Sequence, residues 1–227
     1  MTDFTLEIEL LSDTAFGSGA GVSALVNSEI QHDEKGLPTM SGRAIKGLLV
    51  NECSEILYAL PPKKREHWEP VALKLFGQRG EMLEDVPGVF VANATLAPDL
   101  ASAIHADKIS SQEVLDSLTT IRKQTAMNEL GAPEDESLRA VRVLVHDLTL
   151  YAPLSFTSAP DPDAQALLAA CVMSLRRAGL NRTRGKGKLK LRITSRPLGP
   201  QEFAKSEEQS KDLAPDWFKL FEKEVTA

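Results

Sequence analysis

The residues best suited to chemistry lie in the stretch 36–49, where a predicted turn and a run of small residues lead into a predicted helix. Ser41 is a good N-cap, because its hydroxyl can accept a hydrogen bond from a backbone N–H of the first helical turn. Arg43 and Lys46 follow with no acid beside them, although the positive N-terminal end of a helix favours acids. The pattern fits an anion held by these two cations, by Ser41 and by free N–H groups, with Gly42 allowing close approach. Solvated cations that tolerate a small dipole repulsion are the alternative.

A second cationic stretch lies between residues 176 and 196. The chain has 227 residues and a formal net charge of −6, yet this stretch holds nine Lys and Arg residues and no acid. One basic segment on an acidic body predicts a focused anion-binding feature rather than a general polycation. A solvated basic turn is the competing interpretation. The glycine-rich loop inside the stretch supplies these candidate phosphate ligands: Arg182, Arg184, Gly185, Lys186, Gly187 and Lys188.

Other features of the composition exclude several classes of protein. The two cysteines show no CxxC or Cys/His cluster, so neither a metal site nor a disulfide framework is indicated. The N-terminus lacks the basic start and apolar run of a signal peptide, and no apolar stretch approaches membrane-spanning length. We therefore expect a cytoplasmic protein without a membrane partner. A glycine-rich loop near the N-terminus adds Gly19 and Gly21 as backbone groups that could approach an oxygen-rich ligand.

The periodicity of apolar residues predicts an α+β fold. The order of elements suits a ferredoxin-like (RRM-like) βαββαβ core, in which helices cover one sheet face and the other face is available to a ligand. A single domain would span 1–198, with an insertion around 97–140, and 199–227 would form a charged linker and an amphipathic helix. The predicted strands are 4–11, 88–96, 138–146, 147–156 and 189–193, and the predicted helices are 41–60, 68–76, 111–118, 164–177 and one near the C-terminus.

Aromatic residues make up only 5% of the chain, and it has no RNP-type aromatic motif. Base stacking on the sheet is therefore not supported by the sequence. If nucleic acid binds, the glycine loops and the basic side chains predict contact through phosphates instead.

Three stretches together resemble the RAMP superfamily, the repeat-associated proteins of CRISPR effector complexes. The stretch 36–49, GLPTMSGRAIKGLL, is similar to the superfamily signature G-x-P-x-I-P-G-S/R-x-L-K-G. Residues 75–94, which contain LFG and GVFVANA, resemble its FG … G-x-V-x-F-S-D-A pattern. Residues 122–139 resemble the R-x-x-T-A-I-D … G-x-A … L-R block of its type III members, and the loop 179–187 is similar to its closing glycine-rich loop.

The resemblance implies a backbone subunit of a type III effector complex in antiviral defence. Such a subunit packs beside other effector subunits along a guide RNA and contacts its phosphates independently of sequence. A thumb-like hairpin, here near 122–139, would interrupt the duplex of guide and target RNA at regular spacing. Base pairing then supplies the sequence specificity, while the protein recognises shape and backbone. The candidate RNA contacts in this block are Arg122, Lys123, Thr125 and Arg139.

The resemblance also raises the question of RNA cleavage. Some members of the superfamily cut target RNA with an Asp ahead of the signature, with help from a divalent metal. The corresponding positions here are Val26 or Asn27, so Asp33 and Glu29 are the nearby acids that could substitute. We favour an RNA-binding subunit that cuts nothing and needs no cofactor for binding.

Three alternatives stay open from the sequence. The first is a Mg²⁺-dependent endoribonuclease acting through Asp33 or Glu29. The second is a protein-only scaffold whose basic loop docks an acidic partner. The third, metal-free processing by a histidine, is disfavoured because the four histidines are scattered along the chain. If RNA does bind, 41–46 and 182–188 should be adjacent and form two walls of one phosphate groove.

Overall fold

The structure, a computed structural model, describes residues 2–17, 27–77, 88–125, 137–182 and 184–226. The strands in this part of the chain are β1 (Thr2–Leu10), β2 (Val89–Val91), β3 (Thr119–Gln124), β4 (Arg139–Leu144), β5 (Thr149–Phe156) and β6 (Leu189–Thr194). The helices are α1 (Gly42–Ala59), α2 (Pro62–Phe76), α3 (Pro98–Ala106), α4 (Ser111–Leu118), α5 (Pro162–Ser174), α6 (Pro200–Phe203) and α7 (Ala214–Thr226), with a 3₁₀ helix at Glu207–Ser210. The predicted α+β class is confirmed.

Four strands form one antiparallel sheet in the order β2-β5-β1-β6. The alternating segment at the N-terminus forms β1, as predicted, and it lies in the middle of the sheet. Its Leu6 pairs with Ala152 of β5 on one side and with Ile193 of β6 on the other. Strands β3 and β4 form a separate antiparallel pair, which the chain inserts between β2 and β5.

The hydrophobic core lies between the four-stranded sheet and α5. Residues 166–172 of this helix are buried without interruption, and the helix packs against β6, α1, α2 and α7. A helix that is apolar on all sides belongs in such a central position. The two cysteines, Cys53 and Cys171, are buried free thiols in this core. The C-terminal helix joins the same cluster, since Trp217 stacks edge-on against Phe4 with ring centroids 5.0 Å apart.

The opposite face of the sheet is covered by the segment that follows β6. Glu7 is only 2% exposed on this face, and the Arg196 guanidinium lies 3.5 Å from the centroid of the Phe203 ring. Burial raises the pKa of Glu7, while the nearby Arg192 and Arg196 oppose the shift. The expectation that this face is free for a ligand is therefore wrong at the centre of the sheet.

Three local predictions also differ from the structure. Helix α2 is longer than the predicted helix 68–76, because it begins at Pro62, a residue well suited to a first helical position. The Arg65 guanidinium donates to the carbonyl oxygens of Leu57 and Tyr58 at the end of α1, at 2.9 and 2.8 Å. Strand β2 is shorter than the predicted strand 88–96, and helix α3 is not among the predicted helices.

A buried arginine ties the two-stranded sheet to the rest of the molecule. Arg142 of β4 makes a salt bridge with Glu29, with Nε 3.1 Å from Oε1, and both side chains are 9% exposed. Its Nη1 also donates to Asp116 Oδ1 at 2.9 Å and to Thr119 Oγ1 at 3.0 Å. A buried guanidinium needs such partners, because an unpaired buried charge is very costly.

The first turn of α1 is pressed against β2 through a glycine. A Cβ atom on Gly42 would lie 2.1 Å from the carbonyl oxygen of Val91 and 2.6 Å from that of Ala92. No side chain fits there unless the backbone moves. Gly47, one turn and a half further along the helix, has open space where its Cβ would be.

We predict that Glu29→Ala lowers the free energy of unfolding by about 3–5 kcal/mol, since it leaves the buried Arg142 charge without its main partner. Urea denaturation of the purified chain measures the change. Lys74→Ala is the matched control, because the Lys74–Asp161 pair is exposed and should contribute about 1 kcal/mol or less. Equal, small losses in the two variants would contradict the proposed anchoring role.

The two glycines of α1 should respond to alanine in opposite directions. Gly42→Ala forces the helix away from β2 and should destabilise the fold by about 1–3 kcal/mol. Gly47→Ala meets no neighbour and removes a flexible residue from a helix interior, so it should stabilise the fold by about 0.5–1 kcal/mol. Thermal denaturation of both variants checks this pair, and a neutral Gly42→Ala would show that the close contact is not required.

Candidate nucleic-acid interface

Two cavities lie on either side of Ser41 at the start of α1. The first has a volume of about 520 Å³ and is lined by Ser41, Gly42, Arg43, Lys46, Phe90, Val91, Ala92 and Asn93. The second has a volume of about 310 Å³ and includes Ser41, Ala44, Gly47, Leu48, Gly179, Leu180 and Arg182 in its lining. The structure therefore brings the four predicted residues of the signature together in the first cavity.

The first cavity is organised by contacts between α1 and β2. The backbone N–H of Gly42 donates to Asn93 Oδ1 at 3.0 Å, and Lys46 Nζ donates to the carbonyl oxygen of Val89 at 3.3 Å. Burial lowers the pKa of Lys46. Arg43 is exposed, and none of the described residues that line this cavity is an acid. The cavity thus presents cations and hydrogen-bond donors, which suit an anionic ligand.

The N-cap of α1 differs from the prediction. Ser41 is the N-cap residue, as predicted, but its hydroxyl makes no capping hydrogen bond in the described part of the chain. The helix start is instead satisfied by the Asn93 side chain, from 51 positions further along the chain. Asn93 was missed as a site residue, although it stands where the resembling pattern has an Asp.

The second cavity lies between α1 and the glycine-rich loop 179–187. The backbone N–H of Leu180 donates to the carbonyl oxygen of Ala15 at 2.9 Å. Gly179 has φ +87, and a Cβ there would lie 2.6 Å from the same oxygen, so the loop must pack closely at this point. Ser41 and Arg182 consequently line the same cavity. The stretches 41–46 and 182–188 are therefore adjacent, as predicted, at Ser41 and Arg182.

The rest of the glycine loop spreads its cations in different directions. Arg184 is exposed, and the neighbouring Gly185 has φ +79 with open space around it. Lys186 Nζ is buried without a hydrogen-bond partner in the described part of the chain. Gly187 packs against the backbone of Ala178, while the backbone N–H of Lys188 donates to Ser12 Oγ at 2.9 Å. These residues do not all face the cavities beside α1.

Lys186 lies instead near the base of the two-stranded sheet, close to Asp13. Arg122 binds the same carboxylate, with Nη2 2.6 Å from Asp13 Oδ2, and His146 Nδ1 lies 3.5 Å from Oδ1. Burial alone would raise the pKa of Asp13, but the hydrogen bonds from Arg122 and His146 hold it below its usual value. Desolvation and Arg122 lower the pKa of Lys186, against the effect of Asp13. Sequence reasoning missed Asp13 and His146, which carry no local motif.

The remaining candidates for RNA contact lie at the open end of the two-stranded sheet. Lys123, Thr125 and Arg139 are exposed, and the register pairs Gln124 of β3 with Arg139 of β4. The segment 126–136, between the two strands, lies outside the described residues. Gly19 and Gly21 also lie outside them, so the structure gives no geometry for the N-terminal glycine loop.

Both candidate catalytic acids are engaged by the protein itself. Asp33 Oδ1 accepts hydrogen bonds from the backbone N–H groups of Lys35 and Leu37, both at 2.9 Å, and its Oδ2 lies 3.3 Å from His105 Nε2. Glu29 is the buried partner of Arg142. Within the described ranges, no group of three or more His, Cys, Asp or Glu side chains is placed to hold a metal ion.

The described helices include none that is both long and apolar enough to cross a membrane. No protein-family model matches the sequence, and no curated protein matches it either. The relationship to known proteins is therefore structural.

The solved structures that share this fold include two of Type III-B Cmr-beta. One is the cryo-EM structure of the Type III-B Cmr-beta bound to cognate target RNA, which matches at a TM-score of 0.61 and 15% identity over 85% of this chain and 97% of that chain. The other is the apo state of Type III-B Cmr-beta, at a TM-score of 0.60 and 14% identity over 84% of this chain and 96% of that one. This chain therefore has the fold of a chain in these Type III-B Cmr-beta structures.

Proposed function

We propose that this chain is a guide-RNA-binding backbone subunit of a type III CRISPR effector complex, which contacts RNA phosphates independently of base sequence. The observation that carries the proposal is the shared fold, which extends over 97% of a chain from a Cmr-beta structure with bound target RNA. The cationic cavity beside α1 and the exposed cations of the glycine loop support it. Its partners would be guide RNA, target RNA and other effector subunits.

The topology supports a ferredoxin-like core at the centre of this proposal. Strands β1, β2, β5 and β6, with α1 after β1 and α5 after β5, follow one another as strand, helix, strand, strand, helix, strand. Their order β2-β5-β1-β6 is the arrangement expected of two interleaved split βαβ units. The inserted β3–β4 pair would then be the base of the thumb that separates guide from target.

The covered sheet face favours phosphate contact over base recognition on the sheet. Glu7 and Arg196 lie under or within the segment that follows β6, so nucleic acid cannot reach the centre of that face. Arg43 and Arg182 instead lie at the sheet edge and in the loops, on the two sides of Ser41. Cationic side chains of this kind neutralise RNA phosphates and release the counterions bound there. The affinity for RNA then does not depend on base sequence, and it depends strongly on salt concentration.

We predict that the double variant Arg182→Glu with Arg184→Glu weakens binding of a labelled guide RNA and lowers the slope of log Kd against log salt by about two. Both side chains are exposed, so the fold should tolerate the change. Fluorescence anisotropy over a salt series is the measurement.

The matched control is the double variant Lys63→Glu with Lys223→Glu. It reverses the charge of two exposed lysines and changes the net charge by the same amount. Lys63 follows the far end of α1, an 18-residue helix about 27 Å long. If both double variants lose affinity equally, the effect is one of net charge, and the proposed site is wrong.

We further propose that this chain holds RNA without cutting it. The carboxylates of Asp33 and Glu29 are committed to a turn and to a buried salt bridge, which supports structural roles for both. In an assembled complex with target RNA and Mg²⁺, Asp33→Asn should leave the amount of cleaved RNA unchanged. The variant keeps the Oδ1 acceptor of the turn and removes the charge, so it tests the carboxylate without breaking the loop. Loss of cleavage at an unchanged melting temperature would favour the endoribonuclease alternative.

A further inference from the structure

An exposed phenylalanine stands in the first cavity. Phe90 is 60% exposed, although its neighbours Val89 and Val91 in β2 are 1% and 5% exposed. The alternation of a strand directs these two valines into the core and Phe90 away from it. Leaving such a ring in water costs hydrophobic free energy that a ligand could recover.

The ring has no partner in the described part of the chain. Two aromatic side chains are well exposed there, Tyr58 at 82% and Phe90. The Tyr58 ring lies 5.8 Å from the Arg65 guanidinium, whereas no aromatic or cationic group among the described residues stacks on Phe90. Phe90 therefore presents an unoccupied aromatic face beside Arg43 and Lys46.

The surroundings of the ring determine the chemistry of its partner. Arg43, Lys46, Ser41 and Asn93 line the same cavity, and its lining within the described ranges includes no acid. Lys46 reaches over the strand to the carbonyl oxygen of Val89, next to Phe90. A protein-docking patch would need a cluster of exposed apolar side chains, but among the described residues of this lining Phe90 is the one large apolar side chain that is exposed. An aromatic ring among cations is instead the combination that binds single-stranded nucleic acid.

We propose that Phe90 stacks on an unpaired RNA base while Arg43 and Lys46 hold the phosphates beside it. This inference rests on the proposed function and adds a base contact to a site otherwise assigned to phosphates. Stacking on a phenyl ring accepts any base, so it is compatible with a guide whose sequence varies. The base must be unpaired, because the faces of bases inside a duplex are covered by their neighbours. The cavity, at about 520 Å³, is large enough for one nucleotide.

The test compares Phe90→Ala, Phe90→Leu and Phe90→Tyr in the full chain, with a labelled single-stranded RNA of mixed sequence and with the blunt duplex of the same sequence. We expect Phe90→Ala and Phe90→Leu to weaken single-strand binding by about 10-fold, and Phe90→Tyr to retain it. The salt dependence should not change, because the phosphate contacts remain. Binding to the duplex should be unaffected in all three variants. Tyr58→Ala, which removes the other exposed aromatic ring at the far end of α1, should bind like the unmodified chain.

The variants separate stacking from its alternatives. Leucine keeps apolar bulk without an aromatic face, so single-strand affinity retained in Phe90→Leu but lost in Phe90→Ala would overturn stacking. RNA binding unchanged in every variant, together with loss of a neighbouring subunit from the assembled complex, would assign the ring to a protein contact and also overturn it.

The inference and the proposed function fail in different ways. If the unmodified chain binds RNA with a salt-dependent affinity and Phe90→Ala binds equally well, the inference alone is wrong. If the unmodified chain shows no salt-dependent RNA binding, the proposed function is wrong, and the stacking site is wrong with it.

Discussion

The contact between the first turn of α1 and β2 is the constraint on which the candidate site depends. Gly42 lies against the carbonyl oxygen of Val91, and its N–H is held by Asn93. These two contacts fix both the distance and the rotation of the helix relative to the sheet edge. Because side chains on a helix keep fixed angular positions, the same contacts direct Arg43 and Lys46 toward the cavity beside β2. Gly42 allows α1 to pack closely against β2, and this packing determines the position of the candidate site.

The covered sheet face constrains where a ligand can bind. Arg196 stacks on Phe203, and Thr5 of the central strand donates to the carbonyl oxygen of Arg196, so the segment after β6 is bound to the sheet by both polar and aromatic contacts. Glu7 is buried beneath it, with Oε2 3.1 Å from Arg192 Nη2. Because burial raises the pKa of Glu7, its carboxylate needs these cationic partners in order to stay ionised. Displacing the segment to admit RNA would take Arg196 away from the buried Glu7 and break its contact with Phe203, so the edges and loops are the accessible surface.

The parts of the fold that the sequence predicted are those determined by local patterns. The alternation in 4–11 predicts β1, and α4 begins as predicted because Ser110 and Glu113 form a reciprocal capping box. The site was predictable to the same extent, since the acid-free helix start identifies Arg43 and Lys46. The partners of the site come from far along the chain. Asp13 and Arg122 are 109 residues apart, and no local pattern predicts such a pairing.

Long-range pairing also explains why the local charge of +9 between 176 and 196 overstates the anion-binding surface. Arg192 is paired with Glu7, Arg196 is stacked on an aromatic ring, and Lys186 lies beside Asp13. A cation paired with a carboxylate, as Arg192 is with Glu7, creates little field at a distance, because the two opposite charges lie within a few ångströms of each other. Arg182 makes no ion pair within the described ranges and lines the second cavity, so a phosphate beside Ser41 would meet this cation together with Arg43 and Lys46 of α1. The count of basic residues predicts an anion site, and the positions of the acids determine which of those residues are available to it.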